Sequence, residues 1–216
     1  MLRNTLNQAL LHTSAKPLLW LLCLTPLASL VGQLLLNALG PNPAEALIRS
    51  TGDWALRALC VALAVTPLRL FSGLTGLARM RRLLGLFAFF YALLHAVSYA
   101  GLDMEWKWAS IWGDVLQRPF VLAGLLAMVV LLLLALTSPK AMLKAIGAAR
   151  WQRLHRTVYV AAWLAVLHFY WMRLGKNNLT EVFYYGFILF LLLLTRIYFS
   201  WSKNSLEKFF KPNKYY

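Results

Sequence analysis

Three of the four histidines of this chain, His95, His155 and His168, lie in or beside long apolar segments, and the last two share one segment thirteen residues apart. An unpaired histidine in hydrocarbon is a costly polar group, whereas a neutral imidazole is a strong ligand for iron. Thirteen helical residues rise about 20 Å, roughly two-thirds of the hydrocarbon thickness of a bilayer. His155 and His168 therefore cannot serve one metal; they mark two depths in a membrane. His12, outside the apolar runs, is expected to be solvated or interfacial.

The elements that must hold these histidines are six apolar windows: 18–36, 54–70, 83–101, 120–136, 157–172 and 182–199. Each has the length of a membrane helix, and the short connections predict an up-and-down bundle. Only 13% of the residues are charged, about half the share usual in a soluble domain, so no sizeable soluble domain is expected. The organisation follows as an N-terminal segment 1–17, a six-helix transmembrane domain 18–199 and a basic tail 200–216. A retained anchor fits the first window better than a signal peptide, because the run is long and no clear cleavage site follows. The residues before Pro17 suit a short interfacial helix. No internal repeat is visible.

Net charge is +15, yet the basic residues sit between apolar runs, which makes them an orientation signal and excludes nucleic acid as the partner. Residues 1–17, 69–82, 137–156 and 196–216 hold sixteen Lys and Arg against one acid, Glu207. The opposite loops hold five Lys and Arg with six acids. The positive side is cytoplasmic, so both termini are expected inside. Trp106, Trp108 and Trp112 in an outer loop, and Trp151, Trp171 and Trp201 near span ends, form an aromatic belt. Cys23 and Cys60 lie in apolar segments with no C-x-x-C-H pattern, so any haem would be held by ligation alone.

The third and fifth windows run in the same direction. His95 lies thirteen residues beyond Arg82, and His168 twelve beyond Arg156, which places both imidazoles at one depth towards the outer leaflet. A haem needs one ligand on each face, and two helices of a bundle supply them. With both axial positions filled by histidine the iron keeps no open site, so the protein would move electrons and leave bond-making to a partner. His155, at the inner interface, faces the basic run Arg79, Arg81 and Arg82. Arginine is a poor iron ligand but pairs well with propionate or phosphate. The inner site, with Arg81, Arg82, Arg153 and Arg156 around His155, is thus open to a haem with an unusual second ligand, a flavin phosphate or lipid headgroups. Arg57, expected three residues into the second helix, either snorkels to the headgroups or pairs with a propionate of the outer haem.

Several motifs point the same way. Arg81-Arg82-Leu83-Leu84-Gly85 through His95 to Tyr99, Arg118-Pro119 opening the fourth helix, and Trp151-Gln152-Arg153-Leu154-His155-Arg156-Thr157-Val158-Tyr159 ending in Leu167-His168 resemble the MsrQ (formerly YedZ) family of haem-binding membrane subunits. Thr51-Gly52 and Thr66-Pro67-Leu68 fit as well. That family is similar in turn to the ferric reductase and NADPH oxidase transmembrane domains, six-helix bundles in which two helices each carry a histidine pair. Here the fifth helix keeps its pair and the third keeps only His95. The resemblance implies an all-α, ferric reductase-like bundle in the bacterial inner membrane. It implies haem b, one well supported and a second open, with FMN as a further candidate. It also implies electron delivery to the periplasmic molybdopterin reductase MsrP, which reduces methionine sulfoxide in envelope proteins. No cytoplasmic NAD- and FAD-binding domain like that of the oxidases is expected, so the resemblance implies reductant from the quinone pool or a cytoplasmic NAD(P)H-flavin reductase. A small transporter is disfavoured by the scarcity of ionisable groups in the helix interiors beyond the histidines and Arg57, and a non-redox assembly subunit is the other rival, distinguished by a colourless purified protein.

Overall fold

A computed structural model describes residues 2–175 and 178–210, with side chains up to Phe199. Among the described residues ten α-helices follow one another: α1 (Leu2–Leu11), α2 (Ala15–Leu35), α3 (Pro43–Ser72), α4 (Arg81–Ser98), α5 (Trp108–Gln117), α6 (Pro119–Leu136), α7 (Lys140–Ile146), α8 (Ala148–His155), α9 (Val158–Leu174) and α10 (Thr180–Phe210). A 3-10 turn, Thr75–Arg79, precedes α4, and a π-helical turn, Tyr99–Asp103, extends it. Helices α2, α3, α4 with its π turn, α6 and the 180–199 stretch of α10 have the length and apolarity of membrane spans. The fifth window of the sequence corresponds to α9, whose 17 residues stand at the short end of the spanning range. The chain is a multi-pass, all-α membrane protein.

Two antiparallel pairs, α3 with α4 and α6 with α9, make the most extensive contacts. They meet through α4 against α6 and α3 against α9, and α10 lies across α3 and α9. Small residues let the backbones approach: Ala88, Ala161 and Ala162 are fully buried among Leu59, Leu63 and Leu189. The stripe Leu122, Leu126, Val129 and Leu133 on α6 remains 43–47% exposed, while Ala123, Ala127, Leu131 and Leu134 on its other face are buried. The exposed stripe is the surface that a bilayer covers.

The sequence windows place most helices within a few residues, with α3 the exception. It begins at Pro43, eleven residues before its window, because Asn42 caps it by accepting the Glu45 N–H at 3.1 Å and Pro43 occupies the first helical position. The polar residues Glu45, Arg49, Ser50 and Asp53 are helical but invisible to a hydropathy window. Two prolines interrupt spans, and each freed carbonyl is met by another donor. Pro26 in α2 leaves the Leu22 carbonyl to the Thr25 hydroxyl at 2.8 Å. Pro67 in α3 leaves the Leu63 carbonyl to Arg196 of α10, whose Nη2 donates at 2.6 Å.

Helix α1 and the Phe199 end of the last span meet the bundle at the same end, here the basic end. Asn7 of α1 accepts the Gly76 N–H at 2.8 Å, and Phe199 packs edge-on against Phe71 at 5.1 Å. The short helix expected before Pro17 is α1. The connection expected between residues 137 and 156 contains two short helices, α7 and α8. The turn at Arg156–Thr157 separates α8 from α9, so His155 and His168 do not lie on one continuous helix as the sequence suggested. Of the tail 200–216, the stretch to Phe210 continues α10, and 211–216 fall outside the described residues.

Candidate functional site

His95 of α4 and His168 of α9 come together between the two helix pairs, with ring centroids 5.9 Å apart and ring planes crossed at 77°. Each imidazole is pinned from behind. His95 Nδ1 lies 2.9 Å from the Ile48 carbonyl oxygen of α3, and His168 Nδ1 lies 2.6 Å from that of Phe120 in α6. A carbonyl only accepts, so both Nδ1 atoms carry the proton and both Nε2 lone pairs are left for a metal. An iron with Fe–N bonds of about 2 Å on each side would set the two ring centroids about 6.3 Å apart, close to what is observed. Among the described residues no group of three His, Cys, Asp or Glu side chains could hold a bare ion. Two imidazoles at this separation, each with Nδ1 committed to a carbonyl, fit a haem, whose macrocycle would supply the other four ligands.

The two helix pairs repeat this arrangement. Ile48 and Phe120 supply the carbonyls, and four residues further on stand Gly52 and Gly124, each in contact with the imidazole that its carbonyl holds. A Cβ on Gly52 would come within 3.0 Å of His95 Nδ1, and one on Gly124 within 2.8 Å of His168 Nδ1. The sequence shows no such repeat, because it resides in two glycines, two histidines and the backbone. Away from the basic end the pairs are joined by a polar chain. The Tyr99 hydroxyl donates to Asp114 Oδ2 at 2.9 Å, and Arg118, at the start of α6, pairs with the same carboxylate at 3.2 Å.

Arg57 is not near the start of its helix, since α3 begins earlier than its apolar window. It stands midway along α3 and turns towards α10, donating from Nε to the Tyr185 hydroxyl at 3.0 Å with its guanidinium over Trp54. Beyond His168, the buried Arg173 pairs with Glu181 at 2.7 Å and lies over Phe169.

At the basic end a cavity of about 420 Å³ opens between α3, α4, α6 and α9. Arg81, Arg82, Lys140, Ser138, Trp151 and His155 form its polar wall. Trp151 stacks on the His155 ring at 3.8 Å and donates its indole N–H to the Thr137 carbonyl at 2.8 Å. The Thr137 hydroxyl donates to the Leu133 carbonyl, so its oxygen accepts from His155 Nε2 at 3.1 Å. Partial burial, then the neighbouring Arg81 guanidinium, hold the His155 imidazole below its ordinary value and favour the neutral ring. Arg153 and Arg156 are exposed and take no part in this wall. Sequence reasoning thus found His155, Arg81 and Arg82 and missed Lys140, Trp151 and Thr137. The same holds for Arg196, which donates to the Tyr159 hydroxyl and to the carbonyl of Leu63, itself a cavity-lining residue.

Residues 51–166 match the family described as ferric reductase like transmembrane component. That stretch includes Gly52, His95, Gly124 and His155 and stops two residues before His168. The chain is 53% identical over 194 residues, 90% of its length and 89% of the relative's, to the protein-methionine-sulfoxide reductase heme-binding subunit MsrQ of Polaromonas naphthalenivorans. The protein of the same name from Herminiimonas arsenicoxydans is 44% identical over 89% of this chain and 88% of its own. That from Caulobacter vibrioides is 41% identical over 84% and 85%. No solved structure matches the chain.

Proposed function

Because the chain belongs to the MsrQ family of heme-binding subunits, within the ferric reductase-like transmembrane proteins, we propose that it carries electrons across a bacterial inner membrane through a haem b held by His95 and His168. The observation that carries this reading is the pair of imidazoles 5.9 Å apart whose Nδ1 atoms are both committed to backbone carbonyls. A bis-imidazole haem supplies one-electron transfer with no open coordination position. The residues around it bind and orient. The carbonyls of Ile48 and Phe120 fix the tautomer and raise the basicity of each ligand, and the apolar flanks of α4, α6 and α9 keep water away. The acceptor is the periplasmic molybdopterin reductase MsrP, which repairs methionine sulfoxide in envelope proteins, so the substrate chemistry belongs to the partner.

Electrons enter at the basic end, which faces the cytoplasm with both termini. Arg81, Arg82 and Lys140 around one cavity favour a phosphate-bearing flavin, FMN, over a second haem, since His155 is the one histidine in that wall. A cytoplasmic NAD(P)H-flavin reductase is then the donor that fits the cavity, and the quinone pool is the alternative. Reduced-minus-oxidised spectra of the purified protein test the core of this proposal. His95→Ala and His168→Ala should each abolish the sharp α-band of low-spin haem, and either variant keeping the full band overturns the ligand assignment. A colourless, folded wild-type protein would favour a non-redox subunit.

A further inference from the structure

We infer that Gly52 and Gly124 are positioning residues that hold the two imidazoles crossed, and that they thereby set the ligand field and reduction potential of the haem. This inference rests on the reading of His95 and His168 as axial ligands. In an α-helix the carbonyl of residue i accepts the N–H of residue i+4. Ile48 and Gly52 are such a pair, and so are Phe120 and Gly124. At these two positions the imidazole reaches the second lone pair of the carbonyl by lying against the Cα of residue i+4, where a side chain would crowd it. A Cβ would stand 3.0 and 3.1 Å from Nδ1 and Cε1 of His95 at Gly52, and 2.8 and 3.0 Å from the same atoms of His168 at Gly124. A Cβ at Gly32, Gly85 or Gly113 would meet nothing within 4 Å. At Gly186 the nearest atom is 3.9 Å away, so among the described α-helical glycines the close contact is confined to the two behind the imidazoles, one in each helix pair; Gly76, in the 3-10 turn, meets Leu10 at 2.7 Å instead.

Two consequences follow from a ring lodged against a glycine and tied to a carbonyl. The ring cannot turn about its metal–nitrogen axis, so the 77° between the planes is fixed by the backbone of α3 and α6. In a ferric low-spin haem each imidazole lifts the degeneracy of two iron d orbitals along its own plane. Crossed planes nearly cancel that splitting, and parallel planes add to it. The hydrogen bond from Nδ1 also makes the ligand more basic, which favours the ferric state and lowers the potential.

Electron paramagnetic resonance and a redox titration of the oxidised full-length protein test this. The wild type should give one highly anisotropic low-spin signal with a single large g value, not three resolved ones. Gly124→Ala should move that signal towards the three-line form and raise the potential, more than Gly52→Ala does, because its contact is closer. Gly32→Ala should change neither. Three resolved g values from a wild-type haem whose near-infrared band reports bis-imidazole ligation would overturn the inference and leave the axial pair standing. So would alanine variants with unchanged signal and potential. If the near-infrared band is absent, the axial-pair reading fails first. An alanine variant that loses its haem leaves the wild-type spectrum to decide.

Discussion

Arg196 lies near the basic end of the last span, where both its Nη atoms donate to protein groups, and one acceptor is a carbonyl that a proline has orphaned. Pro67 cannot donate to Leu63, and Arg196 Nη2 takes that place at 2.6 Å while Nη1 holds the Tyr159 hydroxyl. Arg196→Met removes both donors and leaves a buried carbonyl without its hydrogen bond. In water-soluble proteins hydrogen bonds to charged groups contribute about 1.5–3 kcal/mol each. Interhelical bonds measured inside membranes average about 0.6 and reach about 1.7 kcal/mol. The membrane scale governs here, which puts the expected loss at about 2 kcal/mol for the two bonds together. Pro67→Ala supplies the helix with its own N–H for Leu63, so the carbonyl no longer needs the arginine. In that background Arg196→Met should cost about 1 kcal/mol less, a coupling above the roughly 0.3–0.5 kcal/mol scatter of independent sites. Reversible unfolding of the four proteins in mixed micelles, followed by near-ultraviolet circular dichroism, measures the cycle. Equal losses in the two backgrounds would show that Arg196 does not serve the orphaned carbonyl.

His155→Ala should leave the low-spin haem spectrum intact while slowing haem reduction by the natural donor, because His155 lies in the basic-end cavity and not beside His168; loss of all haem would merge two sites kept apart here. The depressed His155 value also has a sign. The folded protein binds this proton less readily than the unfolded chain, so stability should be lost as pH falls below about 6.5, the ordinary value of the group, and a titration of His155→Gln should lack that acid-side loss. A reporter active only in the cytoplasm, fused after Tyr216, should be active; activity of a periplasm-specific reporter there would reverse the proposed orientation.

The parts of this molecule legible in sequence are those governed by apolar length and by depth. The windows 120–136 and 157–172 lie within two residues of α6 and α9, because their flanks, Arg118-Pro119 and the basic run ending at Arg156, change polarity sharply. The His95 and His168 pairing came from counting residues beyond Arg82 and Arg156, and the count works because α4 and α9 both start within a few residues of those arginines. Where a helix continues through polar residues the count fails. Arg57 stands midway along α3 for that reason. The break between α8 and α9, which takes His155 off the helix of His168, is not visible in the sequence because the turn at Arg156–Thr157 carries no glycine or proline. The glycine cradles were illegible for a different cause: what recurs is a carbonyl and a missing Cβ, neither of which has a sequence pattern.

Charge distribution links the two ends of the bundle. The chain has seven acidic residues, and six of them, from Glu45 to Glu181, lie away from the basic end. Four of those six are in ion pairs: Glu45 with Arg49, Glu105 with Lys107, Asp114 with Arg118, and Glu181 with Arg173. The seventh, Glu207, is on the terminal stretch of α10. The cations of the basic-end cavity therefore have no carboxylate among the described side chains to pair with, although three of them, Arg81, Arg82 and Lys140, converge on one space. Topology alone requires only that basic residues lie on this side; it does not require them to line a cavity beside a neutral histidine stacked on tryptophan. Like charges held together without a protein counter-ion repel one another, and an anionic ligand relieves that repulsion. This is the physical ground for proposing a phosphate-bearing cofactor there, whereas of the far-end pairs only Arg173 with Glu181 ties an imidazole-bearing helix, α9, to another helix, α10.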